Sequence, residues 1–168
     1  IQIAAEAISN MKLLRIDSET TANIGVITGG EVTNIVTKEV RIKGEARSLS
    51  NEKLQAQTEH MVKCCEDAAK KFGGSVEIDV DATYGAFKVE EDSEIVQKVK
   101  EACANIGLES HTTTTGGGSD TNILNANGIE AVNLGIGQKK PHTLEEHLYI
   151  KDLESAAKLV LELIKVHA

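Results

Sequence analysis

Apolar residues recur at three-to-four spacing from the start of the chain: Ile1, Ala4, Ala5, Ile8, Met11 and Leu14 fall on one face, which predicts a helix already under way at Ile1. From Thr20 the period drops to two. Residues 21–28 and 32–47 read as strands joined by Gly29 and Gly30, whose tolerance of positive φ suits a two-residue hairpin turn. In the second strand Val40, Ile42, Gly44 and Ala46 alternate with Arg41, Lys43, Glu45 and Arg47, so one face is buried and the other solvated. A second helix, capped by Ser50, carries Leu54, Thr58, Met61, Cys65, Ala68 and Phe72 as its apolar stripe, and Gly73 and Gly74 supply its stop. Val76, Ile78, Val80, Ala82 and Tyr84 then alternate with Glu77, Asp79, Asp81 and Thr83, the pattern of a half-buried strand with an acidic outer face.

This order, α-β-β-α-β, is the split β-α-β-β-α-β unit without its first strand, which is central in that unit. Its removal leaves strand edges unpaired in the interior, at about 1–3 kcal/mol for each buried unsatisfied backbone group. The expectation is a piece of a longer protein. Beyond residue 86 the pattern becomes an α/β layer: a helix over 93–106 with Ile95, Val99, Ala102 and Ile106 inward, a strand at 111–114, a glycine loop, a short helix near 122–126, and a strand at 130–134. A closing helix over 151–166 turns Leu153, Ala156, Ala157, Val160, Leu161 and Ile164 to one side. Alternating elements of this kind suit an open sheet covered by helices, with sites at the carboxyl ends of its strands. Two domains are predicted, 1–86 and 87–168.

Composition narrows the partners. The 26 acids against 18 bases give a net charge of −8, and no basic cluster offsets that field, so nucleic acid and anionic membranes are poor partners. No apolar run approaches the length of a membrane span. Cys64, Cys65 and Cys103 are an odd set with two adjacent, the usage of a reducing compartment, and all three read as packing residues or inert thiols. The expected location is the cytoplasm.

Two stretches carry candidate chemistry. Gly116, Gly117 and Gly118 let backbone N–H groups approach a ligand without Cβ interference, and Ser119 and Asp120 follow at the mouth of a helix; this is either a site for an anion or developing oxyanion, or a flexible turn. Asp120 either fixes the loop or caps the helix, and the two roles are compatible. His142 follows Pro141 and has Glu145 and Glu146 close behind it. A neutral imidazole is a good zinc ligand, and a neighbouring carboxylate can orient it; the alternative is a solvated surface pair. One histidine cannot hold a metal, and neither a His-Glu-x-x-His helix nor a Cys-x-x-Cys pair is present.

The runs TTANIGVITGGEVTNIV, GEARSL, GGGSDTN and GIGQKKPHTLEEHL, in this order and at these spacings, resemble the second half of the peptidase T-like branch of the dinuclear zinc exopeptidases. That family also contains succinyl-diaminopimelate desuccinylase and allantoate amidohydrolase. The resemblance covers the whole chain. It implies that 1–86 is a lid or dimerisation domain of the ferredoxin-like split β-α-β-β-α-β kind lacking its first strand, and that 87–168 is the C-terminal part of an open catalytic α/β sheet.

By the same resemblance His142 is the family's late metal-binding histidine, with Glu146 as the acid four residues on, whereas His60, His111, His147 and His167 lack a match to the pattern. Asn34 and Arg47 correspond to substrate-binding residues, Arg47 to the one that grips the substrate carboxylate, and Gly116, Gly117, Gly118 and Ser119 line the substrate end of the cleft. The implied cofactor is two Zn²⁺ per parent protomer, with Co or Mn as possible substitutes. In the parent the metals polarise a scissile carbonyl and acidify a bridging water while a Glu moves the proton. The other metal ligands and that Glu belong to the family's N-terminal half and have no counterpart here, so no catalytic residue is assigned within this chain, which alone is expected to be inactive. The implied partners are a short peptide, a second copy through the lid, and the missing N-terminal half. Two alternatives stay open: a non-catalytic dimerisation or partner-binding module, and a parent that hydrolyses N-acyl or N-carbamoyl amino acids.

Overall fold

A computed structural model describes residues 1–167, without the side chain of His167. Ala168, the last residue of the predicted second domain, and the His167 imidazole, set against His142 above, lie outside the described residues. The chain divides into two compact units, Ile1–Ala86 and Phe87–Ala168.

The first unit is a three-stranded antiparallel sheet with two helices. It runs α1 (Gln2–Asn10), β1 (Leu14–Arg15), β2 (Thr20–Gly29), β3 (Val40–Ser48) and α2 (Asn51–Phe72), and the strands lie in the order β1-β2-β3. Helix α1 buries Ala4 and Ala7, with Ile3, Ile8 and Met11 partly covered. The predicted stripe through Ile1, Ala5 and Leu14 is therefore rotated: small alanines at the contact with α2 let the two helices approach closely. Leu14 has left the helix altogether and stands exposed in β1 at φ 64°.

The hairpin differs from its prediction in the connection. Residues 30–39 form a loop between β2 and β3 rather than a two-residue turn. Within the ladder, Ile24 pairs with Gly44 but Val26 pairs with Lys43, leaving Gly25 as an extra residue in β2. This bulge has a reason in the sequence. Ile24 and Ile27 are three apart and cannot share a face of a regular strand, and one inserted residue brings both to the face that carries Ile42 and Gly44. Gly44 is needed there, because a Cβ would stand 2.7 Å from Ile24 Cδ1 and 2.9 Å from the Asn23 carbonyl oxygen.

Helix α2 begins as predicted, with Ser50 Oγ accepting from the Lys53 N–H at 3.4 Å, and ends at Gly73 with φ 70°. Its covered face holds Gln57, Cys64, Ala68 and Ala69, while Cys65 is partly covered and Phe72 exposed. The core cysteine of this helix is thus Cys64, one residue before the predicted position. The alternating segment 76–84 pairs with no strand among the described residues, and Val76, Ile78, Val80 and Tyr84 are exposed. A strand is a pairing, and its period was legible while its partner was not.

The second unit holds α3 (Glu94–Asn105), α4 (Asp120–Ala126) and α5 (Ile150–His167). Ala102 and Cys103 of α3 pack on Leu159 of α5, with Val99, Ile106, Leu108, Leu134, Leu163 and Val166 around them. Helix α5 therefore uses Leu159, Leu163 and Val166 where the sequence predicts Leu153, Val160, Leu161 and Ile164, which are exposed. Apolar residues occupy both sides of α5, so periodicity cannot say which side meets α3. Residues 111–114 and 130–134 run as connectors rather than strands among the described residues, again because neither meets a ladder partner.

Candidate functional site

His142 sits in a closed loop. Lys139 and His147 form an antiparallel bridge at its neck, with N···O distances of 2.9 and 3.2 Å. Inside it, Lys140 (φ 49°) and His142 (φ 63°) adopt left-handed backbone conformations on either side of Pro141, an arrangement uncommon for non-glycine residues and concentrated at functional sites. The His142 N–H donates to Glu146 Oε2 at 2.7 Å, and Gln138 Nε2 donates to Glu146 Oε1 at 2.5 Å. The His142 N–H, then Gln138, hold the Glu146 carboxyl below the usual carboxylate range. Glu145 does something different: it pairs with Lys140 Nζ. Gln138 is a contributor that the sequence did not single out; its position in the run before Pro141 was the only signal.

The other histidine of the loop is already engaged. His147 Nδ1 lies 2.7 Å from the Glu145 carbonyl oxygen, and its ring meets Tyr149 edge-on at 5.2 Å. The His142 ring makes no hydrogen bond among the described residues.

The glycine loop precedes α4. A Cβ at Gly116 would meet nothing, and one at Gly117 would meet only Thr115 Oγ1 at 3.7 Å. None of Gly116, Gly117 and Gly118 has positive φ, so at Gly116 and Gly117 what glycine provides is open approach rather than a special turn. Ser119, and not Asp120, is the N-cap of α4; Asp120 is the first helical residue. Ser119 Oγ accepts from the Thr121 N–H at 3.3 Å and also from the Asn122 N–H, while the Asn122 side chain accepts from the Ser119 N–H at 3.0 Å, the reciprocal pair of a capping box. Asn133, which sequence inspection passed over, joins this cap: its Nδ2 lies 3.1 Å from Ser119 Oγ, and its Oδ1 accepts from Thr121 Oγ1 at 2.7 Å.

In the first unit, Arg47 stands near the end of β3 with its Nη2 2.8 Å from Glu45 Oε2. Residues two apart share a strand face, and this pair is about half exposed, 49% and 56%. The Glu45 carboxylate beside it pushes the Arg47 guanidinium further up. Asn34 lies in the 30–39 loop at the other end of β3, and no hydrogen bond or ion pair among the described residues joins it to Arg47. Burial raises the thiols of Cys64, Cys65 and Cys103, which makes them poor nucleophiles.

A metal centre needs three or more converging ligands. Among the described residues no group of three or more His, Cys, Asp or Glu side chains converges in that way. The donor chemistry of His142 fits a single imidazole ligand, and the residues present do not fit a complete centre.

The chain as a whole is similar to known proteins. The pattern of peptidase family M20/M25/M40 matches residues 5–166. A Bacillus subtilis protein called YqjE, described as uncharacterized, is 45% identical over 98% of this chain, which spans 44% of that relative. Among solved structures, a Staphylococcus aureus tripeptidase is 44% identical with a TM-score of 0.89, and the Bacillus cereus aminopeptidase PepT is 43% identical with a TM-score of 0.84; each match covers 98% of this chain and 44% of the other. The Bacillus subtilis YXEP protein, described as a dinuclear metal-binding peptidase, shares the fold at 23% identity, with a TM-score of 0.72 over 98% of this chain and 46% of its own.

Proposed function

Because the chain belongs to peptidase family M20/M25/M40, we propose that it is part of a zinc-dependent exopeptidase that cleaves short peptides in the manner of a tripeptide aminopeptidase. It spans less than half the length of the curated relatives it matches, and the working enzyme is the longer protein. In this reading residues 1–86 form the lid and 87–168 end the catalytic domain. The observation that carries it is the loop of residues 139–147, which ties down its backbone by hydrogen bonds yet leaves the His142 ring without one. His142 supplies one imidazole to a centre whose remaining ligands lie outside this chain. No step of hydrolysis is assigned to side chains present here, and the chain alone is inactive.

Asn34, Arg47, the backbone of Gly116 to Gly118 and Ser119 are proposed to bind the peptide. Arg47 suits a substrate carboxylate, since its planar fork can exchange Glu45 for a bidentate ligand. The free, unactivated cysteines, Cys64 and Cys103 buried and Cys65 partly covered, favour a reducing compartment, and we place the protein in the cytoplasm; among the described residues no helix is long and apolar enough to cross a membrane.

The test is His142→Ala in the full-length enzyme. At least one equivalent of Zn²⁺ and nearly all hydrolysis of a tripeptide panel should be lost; retention of two equivalents with full activity removes His142 from the site. The same panel, run beside N-acyl and N-carbamoyl amino acids, separates peptidase from amidohydrolase. We further propose a homodimer through the lid, motivated by the exposed alternating segment 76–84 and the open edge of β3. Light scattering at about tens of micromolar protein, the range in which a weak dimer populates, should give twice the protomer mass; a monomer counts against it.

A further inference from the structure

We infer that Glu146 is the positioning residue for His142: its carboxylate, by accepting from the His142 N–H, holds that residue in the left-handed conformation from which the imidazole is presented. This rests on the proposal that His142 is a metal ligand, although the hydrogen bond itself does not. A bulky residue with positive φ persists only when its surroundings over-determine it. Most ties in this loop do not touch His142. The Lys139–His147 bridge closes the neck, Thr143 Oγ1 donates to the Lys140 carbonyl at 2.8 Å, and the Glu146 N–H donates to the Thr143 carbonyl at 3.1 Å. Pro141 fixes its own φ but has no N–H to offer.

The link to His142 is Glu146 Oε2, at 2.7 Å from its backbone nitrogen. The second oxygen of the same carboxylate is gripped at 2.5 Å by Gln138, which lies before the neck of the loop. The carboxylate thus spans the loop and is held on both oxygens. Glu145 does not share this role, because its carboxylate is turned to Lys140 Nζ. What the geometry requires is an acceptor at this point rather than a charge. An amide oxygen at position 146 can serve, since Gln138 can flip its own amide to match.

Metal binding and the His142 amide are measured together in the full-length enzyme and in three variants: Glu146→Leu, Glu146→Gln and His142→Ala. Zn²⁺ affinity is read by competition with a chromophoric chelator, and amide exchange of His142 by NMR on metal-free protein. Glu146→Leu should weaken Zn²⁺ by roughly 10–100-fold, the loss typical when a group that orients a ligand is removed, and should abolish slow exchange of the His142 amide. Glu146→Gln should retain both. Since the loop is exposed, Glu146→Leu should keep the parent's far-ultraviolet circular dichroism; Gln138→Leu, which removes the other grip, should weaken Zn²⁺ by a smaller factor. If Glu146→Leu binds Zn²⁺ like the parent while His142→Ala does not, the inference is overturned. It is also overturned if Glu146→Gln fails as badly as Glu146→Leu, because charge and not acceptor geometry would then matter. If His142→Ala keeps its metal, the ligand proposal fails instead, and exchange of the His142 amide still decides whether Glu146 holds that backbone.

Discussion

Replacing Ser119 by Ala separates two roles that this hydroxyl has been given. Ser119 Oγ caps α4 through the Thr121 N–H at 3.3 Å and the Asn122 N–H, and also meets Asn133 Nδ2 at 3.1 Å, and it is proposed to face the peptide. Loss of a serine N-cap costs about 1 kcal/mol, within a range of roughly 0.5–2. Asn133 is exposed, so water can replace the lost partner and adds little to that cost. Thr121 is buried, 8% exposed, so its N–H is less easily rehydrated, which puts the expected loss near the upper half of the range, about 1–2 kcal/mol. Urea unfolding followed by circular dichroism should show this for Ser119→Ala. Ser119→Asp should fall within a few tenths of a kcal/mol of the parent, because aspartate caps about as well as serine. Equal stability of the parent and Ser119→Ala would refute the capping account. Steady-state kinetics on the full-length enzyme then isolates the second role: a hydroxyl that touches substrate raises KM in both variants, whereas a cap alone leaves KM of Ser119→Asp unchanged.

Arg47→Lys in the full-length enzyme should keep the metal content and raise KM by about tenfold, the effect of losing one charge-assisted hydrogen bond of a bidentate pair; unchanged kinetics would sink the assignment. Asp17 gives a pH prediction. Its Oδ1 accepts from the Glu19 N–H at 2.9 Å and the Thr20 N–H at 2.8 Å, and with Lys53 also beside it these contacts bring its pKa from 3.8 down to about 2. A folded pKa below the ordinary value means that the stabilisation is complete above 3.8 and is lost as pH falls toward about 2. Asp17→Asn, which can still accept both N–H groups, should therefore show a shallower loss of stability across that window, and parallel stability curves for the two proteins would contradict this.

Local signals in the sequence were read correctly where the physics is local. Ser50 caps α2 and Gly73 ends it because a side-chain oxygen and a left-handed glycine act within one turn of the helix. The helices α3 and α5 followed from their period alone. The mixed α/β class and the likeness to a metallopeptidase half were legible because four motifs stand in register. What the sequence could not decide is which partner each amphipathic element meets. The period of α5 admits two sides, and packing on Ala102 and Cys103 selected the one with Leu159. Alternation marked residues 76–84 without saying what they pair with, since a strand is completed by hydrogen bonds from elsewhere. The bulge at Gly25 and the replacement of Asp120 by Ser119 as the cap are likewise choices among local options, made by contacts with Ile42 and Gly44 in one case and with Asn133 in the other. The spacing of His142 and Glu146 was visible from the start. That Glu146 grips the backbone of His142 while Glu145 turns to Lys140 was decided only by the closed loop, because two adjacent acids are equivalent until the chain folds back on one of them.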